Sequence, residues 1–254
     1  MGRDYNEVLE EIRGLDRFQE EISLDPVREA AARLGNPQDG FRSIHVAGTN
    51  GKGSTATILA RVLEKEELKT GLFTSPPLMD FRERMEVDGE RISREEVVSI
   101  YNSISSLDVE LSFFETVTLI AFEYFSRQGA DFAVIETGMG GESDATNILR
   151  PELSIVTNVS REHTGWLGET EEEIAQSLAG VVKDRTPVVS GAGGRAGAVI
   201  EEAAEEKEAE FHEVSEPPEI SDNESFNLRL DIEGEAVDTG LVGGYQAENV
   251  ATVL

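Results

Sequence analysis

The sequence predicts an α/β fold: a mostly parallel sheet with helices on both faces and a small antiparallel hairpin region near the C-terminus. Three observations lead there. Short apolar runs alternate with helical patterns over residues 43–190, the runs have the continuous apolar character of strands buried on both faces, and a glycine-rich turn joins the first run to the helix after it.

Residues 4–34 read as two or three short helices, because Val8, Leu9, Ile12 and Leu15 share one face and Pro26 opens a second helix after Asp25. Gly35-Asn36-Pro37 breaks that pattern. A strand over 43–47, a helix over 53–66, a strand near 70–74, and helices over 94–105 and 115–128 follow. Next come strands over 132–136 and 153–159, a helix over 170–182, a strand over 187–190 and a charged helix over 195–209. Phe226, Leu228, Leu230 and Ile232 alternate before Gly234 as in a hairpin, and the acidic stretch 213–225, with Pro217-Pro218, reads as flexible. The expected division is a helical segment, 1–42, packed on a core unit, 43–254.

Composition narrows the function classes. With 51 acidic residues against 22 basic ones the net charge is −29, which repels nucleic acid and anionic membranes. The acid is spread along the chain and only five basic residues are lysine, a balance that suits a halophilic source, where salt screens carboxylate repulsion. The absence of cysteine excludes disulfides and thiolate metal sites. No apolar run approaches the length of a membrane span and the N-terminus carries no signal-like segment, so a cytoplasmic location is expected.

Residues 45–54, His-Val-Ala-Gly-Thr-Asn-Gly-Lys-Gly-Ser, form the most informative string. Gly48, Gly51 and Gly53 let backbone amides of Thr49, Asn50, Ser54 and Thr55 turn toward an anion, Lys52 adds a point charge, and the following helix adds its positive end. ATP is the expected occupant. The usual P-loop string would place glycine at 46 and a hydroxyl at 53, where this chain has Val46 and Gly53, so the loop is a variant. A plain glycine turn is the bland alternative.

Four polar residues stand where strands run out or the helix begins: Ser54, Ser75, Glu136 and His163. Together they could approach a Mg2+ ion beside a cradled phosphate, since magnesium takes oxygen ligands and retains water. Glu136 carries most weight, because a carboxylate ending an apolar strand is costly unless paired or metal-bound. Residues 136–147 make a second glycine-rich loop that could shape a pocket around Asp144 and Asn147, and Glu115 is either a pocket residue or a first-turn helix carboxylate.

In order, HVAGTNGKGST, TSPPL, FFET, ETGMGGESDATN, TNVSREHTGWLG and GYQAEN resemble the folylpolyglutamate synthase/dihydrofolate synthase family of the Mur ligase superfamily, over nearly the whole chain. The resemblance implies an ATP- and Mg-dependent amide ligase. Such an enzyme activates a folate- or pteroate-like carboxylate as an acyl phosphate, which the amine of glutamate attacks. It also implies that Lys52 contacts the β/γ-phosphates, that Ser75, Glu136 and His163 surround magnesium, and that Asn249 lies near the nucleotide, with Asp144 and Asn147 shaping the acceptor pocket.

Three departures stand against the pattern. Pro77 replaces a usual histidine, Glu142 replaces a usual arginine, and Leu178 occupies the place of a lysine that typically becomes carbamylated and serves a second magnesium. An alkyl side chain coordinates nothing, so that second site is expected to be weak or absent unless Lys183 or Glu162 substitutes. Relatives continue into a C-terminal glutamate-binding domain beyond the equivalent of residue 254. The rival expectations are a nucleotide-binding module that needs a separate partner domain, and a ligase for another acidic acceptor.

Overall fold

A computed structural model describes residues 3–16, 23–161, 164–214, 216–222 and 227–254, and no side chain is described at Thr164. Glu162, His163 and Phe226 lie outside the described residues. Two helices lead the chain: α1 (Tyr5–Gly14), closed by an Asp4–Glu7 capping box, and α2 (Asp25–Arg33), with proline in its first turn. Their apolar faces, Val8, Leu9 and Ile12 on one and Val27, Ala30 and Ala31 on the other, join the main core.

The central elements are β1 (Arg42–Ala47), α3 (Lys52–Lys65), β2 (Thr70–Phe73), β3 (Met85–Val87), β4 (Glu90–Arg91), α4 (Arg94–Ser105), α5 (Phe113–Gln128) and β5 (Phe132–Glu136). Then follow β6 (Leu153–Val156), α6 (Thr164–Leu167), α7 (Glu171–Ala179), β7 (Val188–Ser190), α8 (Gly194–Glu206) and β8 (Phe211–Glu213). Capping boxes at Ser93–Glu96, Ser112–Glu115 and Thr170–Glu173 start α4, α5 and α7. The last elements are β9 (Glu219–Asp222), β10 (Arg229–Ile232), β11 (Glu235–Asp238) and α9 (Gln246–Ala251).

The large sheet runs β4-β3-β2-β5-β1-β6-β7-β8, parallel from β2 to β8 and antiparallel at the β3–β4 edge. Side-chain alternation sorts its two faces. Phe132 and Val134 of β5 pack with Ala56 and Ala60 of α3, while Ala133 and Ile135 pack under α5. Ala47 and Val156 turn toward α7 and α8.

Register decides where function can sit. Val46 pairs with Glu136 and Ile155, and Phe73 pairs with Ile135, so the strands end level and their following loops emerge side by side. In open α/β sheets this carboxyl edge is where ligands bind.

Several expectations are corrected here. The sixth strand ends at Val156 rather than 159, because residues 157–160 leave the sheet to brace the glycine loop. The seventh helix starts after its cap Thr170 and ends at Ala179, where a tight approach begins: a Cβ on Gly180 would lie 2.4 Å from Glu142 Cα. The stretch expected to be flexible contains β9, and the C-terminal hairpin is a three-stranded sheet, β11-β10-β9. Its buried Leu228 and Leu230 pack with Ala247 and Val250 of α9 and with Ile58 of α3.

Candidate active site

The loop from β1 to α3 is held from three sides. Thr157 Oγ1 and Asn158 Nδ2 both donate to the Asn50 carbonyl, at 2.6 and 2.8 Å, and the Asn50 N–H donates to Asn158 Oδ1 at 3.0 Å. Thr49 and Ser160 exchange two further bonds. Lys52 folds its Nζ back onto the carbonyls of Gly48 and Thr49, at 2.9 and 3.0 Å. The third support is α9, whose buried Asn249 donates to Gln246 Oε1 at 2.8 Å and lies against Gly51 at the start of α3.

Glycine at 48 and 51 is demanded by protein neighbours as much as by a ligand. Gly48 has φ +137 and a Cβ there would lie 2.1 Å from Thr157 Oγ1; Gly51 has φ +79 and its Cβ would lie 2.1 Å from Asn249 Oδ1. Gly51 also caps α3 without a side chain, leaving the first-turn N–H groups to other acceptors. Ser54 receives Gln246 Nε2 at 3.4 Å, and Thr55 Oγ1 is buried without a hydrogen-bond partner.

Glu136 ends β5 at 4 % exposure, and Gly53 grants it room, since a Cβ at 53 would sit 3.2 Å from Glu136 Oε2. Burial raises its pKa to about 7, against the N–H of Ser75 at 2.8 Å and the charges of Lys52 and Arg84, with Asp144 adding to the rise. Ser75 follows β2 and precedes a cis Ser75–Pro76 bond. His163 lies outside the described residues, so its distance from Glu136 and Ser75 is not part of this geometry. Among the described residues no three His, Asp or Glu side chains converge as a ready-made metal cluster.

Beyond Ser75 opens a cleft of about 790 Å³. Ser75, Pro77, Phe113, Glu115, Ser143 and Trp166 are among its walls, and Leu78, Met79 and Trp166 expose apolar surface there. Arg84, 9 % exposed, is the cation that sequence reasoning missed: its neighbour Arg82 pairs with Asp80, whereas Arg84 lies within the field of Glu136 and over the Phe113 ring. Burial lowers its pKa to about 10, so it stays charged near neutrality, and its Nε has no hydrogen-bond partner. Nothing local in Phe-Arg-Glu-Arg distinguishes the two arginines; only the fold does.

The second glycine loop takes its shape from Asp144. Its carboxylate accepts N–H groups of Gly138, Met139 and Thr146 at 2.8, 2.9 and 3.0 Å, and the Thr146 hydroxyl at 2.5 Å. Asp144 borders the cleft, but Asn147 is not among its lining residues: it bonds the carbonyls of Glu142 and Gly180 and receives Lys183 Nζ at 2.6 Å. Asn147 therefore reaches the pocket through the loop, not by touching it. Glu142 is likewise outside the lining residues, exposed and packed at Gly180, so the charge reversal there does not face the cleft. Glu115 lines the cleft while its Oε2 accepts the Ser112 N–H at 2.8 Å, so it caps α5 as well. Leu178, 1 % exposed, packs with Ile174, Val181 and Val156, and Lys183 is occupied by Asn147.

One buried residue of the first motif faces away from the loop. His45 on β1 is fully buried, its Nε2 2.8 Å from Thr146 Oγ1 and its Nδ1 unpartnered. Burial, then the charge of Lys183, holds its pKa down at about 3.

Known proteins sharing this arrangement decide the family. Residues 46–254 match the Mur ligase middle domain. This chain belongs to the Mur ligase family, in its folylpolyglutamate synthase/dihydrofolate synthase branch. Over 97 % of its length it is 38 % identical to a probable bifunctional folylpolyglutamate synthase/dihydropteroate synthase of Haloferax volcanii, and 34 % identical to the dihydrofolate synthase/folylpolyglutamate synthase of Bacillus subtilis. A solved FPGS–AMPPCP–folate complex superposes with a TM-score of 0.91 at 31 % identity, covering 99 % of this chain and 65 % of that one. The chain spans 31 % of the Haloferax protein and 61 % of the Bacillus protein. No helix among the described residues is long and apolar enough to cross a membrane.

Proposed function

We propose that residues 43–254 form the nucleotide-binding and acid-activating unit of a folylpolyglutamate/dihydrofolate synthase-type ligase, with 1–42 packed on it. The observation that carries this reading is the junction at Glu136: a buried carboxylate between the Lys52 loop and a cleft that presents a buried cation, Arg84. In this reading the triphosphate of ATP lies along Gly48, Thr49, Asn50, Gly51, Lys52, Gly53, Ser54 and Thr55, with Asn249 beside it. The amides at the start of α3 and the Lys52 ammonium receive the β/γ-phosphates.

The acid enters the cleft. One carboxylate oxygen attacks the γ-phosphorus, the bond to the β-phosphate oxygen breaks, and ADP leaves with its electron pair. The glutamate amine then adds to the acyl carbon, loses a proton, and inorganic phosphate departs as the amide forms. Arg84 neutralises negative charge gathering between cleft and loop, while Phe113 and Trp166 offer aromatic surface to a ring-bearing acid. The residues fit magnesium, which takes oxygen ligands: Glu136 would offer one from a buried position where desolvation raises its pKa, and Ser75 and His163 would complete the proposed set. Bound there, the ion would neutralise charge on transferring phosphate oxygens.

Calorimetry with AMPPCP and magnesium tests the reading. Lys52→Ala should weaken binding at least tenfold while leaving thermal unfolding within a few degrees, and unaltered affinity would refute the loop assignment. A second reading, a nucleotide-binding module completed by a separate partner domain, is favoured by Leu178, which fills core space where a metal-serving lysine would stand. Phosphate release with folate and glutamate in molar potassium chloride separates the two.

A further inference from the structure

The apolar rim of Leu78, Met79 and Trp166 belongs to the cleft already described, and in the surface hollow near Asp184 and Lys207 the two cations, Arg185 and Lys207, already pair with Glu208 and Asp184. The His45–Thr146–Asp144 chain is different, because it spans from the middle of β1 to the cleft wall and the chemistry above does not use it. We propose that His45 and Thr146 are positioning residues that fix the Gly138–Met139 wall of the acceptor cleft by acting through Asp144. This rests on the reading of the cleft as the acid-binding site.

Proton accounting gives the chain its direction. Asp144 accepts four donors, two on each oxygen, which fills its lone-pair directions and leaves no room for a proton of its own. Thr146 has one hydroxyl proton and spends it on Asp144, so its oxygen faces His45 as an acceptor. His45 must therefore carry its proton on Nε2, which leaves Nδ1 as a buried acceptor with no partner. An unmade hydrogen bond is unfavourable, and an aliphatic residue would avoid it on a strand buried on both faces. What histidine adds there is one rigid donor, aimed from the sheet at the hydroxyl that locks Asp144.

The outer end of the chain is the cleft. The N–H groups of Gly138 and Met139, both wall residues, point at Asp144 Oδ2, and the Gly138 backbone lies against Phe114, where a Cβ would meet the ring at 2.5 Å. Releasing Asp144 frees these amides and the position of the wall. The nucleotide loop, held by Thr157, Asn158 and Asn249, is not part of the chain.

Two pairs of variants test this. Thr146→Val and His45→Met remove the hydroxyl and the ring donor at similar volume; Thr146→Ser and His45→Gln keep a hydroxyl and an N–H of similar reach. Amide hydrogen exchange at Gly138 and Met139 should accelerate at least tenfold in the first pair and stay near wild type in the second. Folate affinity, measured by calorimetry with AMPPCP and magnesium present, should fall about tenfold in the first pair only, with AMPPCP affinity within twofold throughout. Unchanged exchange at both amides in Thr146→Val and His45→Met overturns the proposal, as does equal weakening of AMPPCP. Exchange involves no ligand, so wild-type protein that fails to bind folate while its exchange responds as expected would refute the acceptor reading and uphold the positioning chain.

Discussion

At Glu136 the cost of burying a carboxylate is measurable, because its pKa is pushed from 4.5 to about 7. Between those values the folded protein retains a proton that the unfolded chain has released, so stability falls as pH rises through the window and is flat below it. Glu136→Gln should remove that slope: urea unfolding at pH 5 and pH 7.5 should show wild type losing roughly 2 kcal/mol more than the variant, the full slope of about 1.4 kcal/mol per pH unit holding only between the two pKa values. A divalent cation reverses the preference, since it binds the ionised form. Affinity for AMPPCP with magnesium should therefore climb with pH up to about 7 in wild type and lose this dependence in Glu136→Gln. The carboxylate itself was visible in the sequence as a charge closing an apolar run, and Asp144 as a residue of the second glycine-rich loop; Arg84 was not, because the contacts that select it join separate loops.

Elements meet at the start of α3, where α9 arrives from nearly two hundred residues away. Gly51→Ala should force a left-handed side chain against Asn249 Oδ1 and cost about 2–4 kcal/mol, seen as a fall in Tm of about 5–10 °C. Removing the obstacle with Asn249→Gly should recover part of that loss, so the two substitutions should be non-additive in a double-mutant cycle. The same scale explains what the chain revealed unaided. Helix α4 was legible to the residue because a Ser93–Glu96 capping box opens a clear periodic face, and β5 because five apolar-rich residues end in a charge. The β3–β4 hairpin carried a readable Asp88-Gly89 turn that apolar periodicity overlooked, both residues having positive φ. By contrast β8 and β9 are short and mostly exposed, with no apolar alternation, and only pairing with a neighbour makes them strands.

Across the whole molecule, 51 acidic groups face only 22 basic ones, and the ion pairs lie mostly at the surface, where each contributes under about 1 kcal/mol. Net repulsion then opposes the compact state, and raising potassium chloride from about 0.1 to 2 M, which shortens the screening length from about 10 Å to under 3 Å, should raise Tm. A Tm that falls or stays level would count against salt adaptation. The one N–H bond from Ser75 to Glu136 has a consequence of another kind. In the proposed function it stands between the phosphate loop and the acid cleft, so charge on one side alters the footing of the other. Thermodynamic reciprocity then requires that any gain in grip which a cation lends the acid be returned, in equal measure, by the acid to the cation.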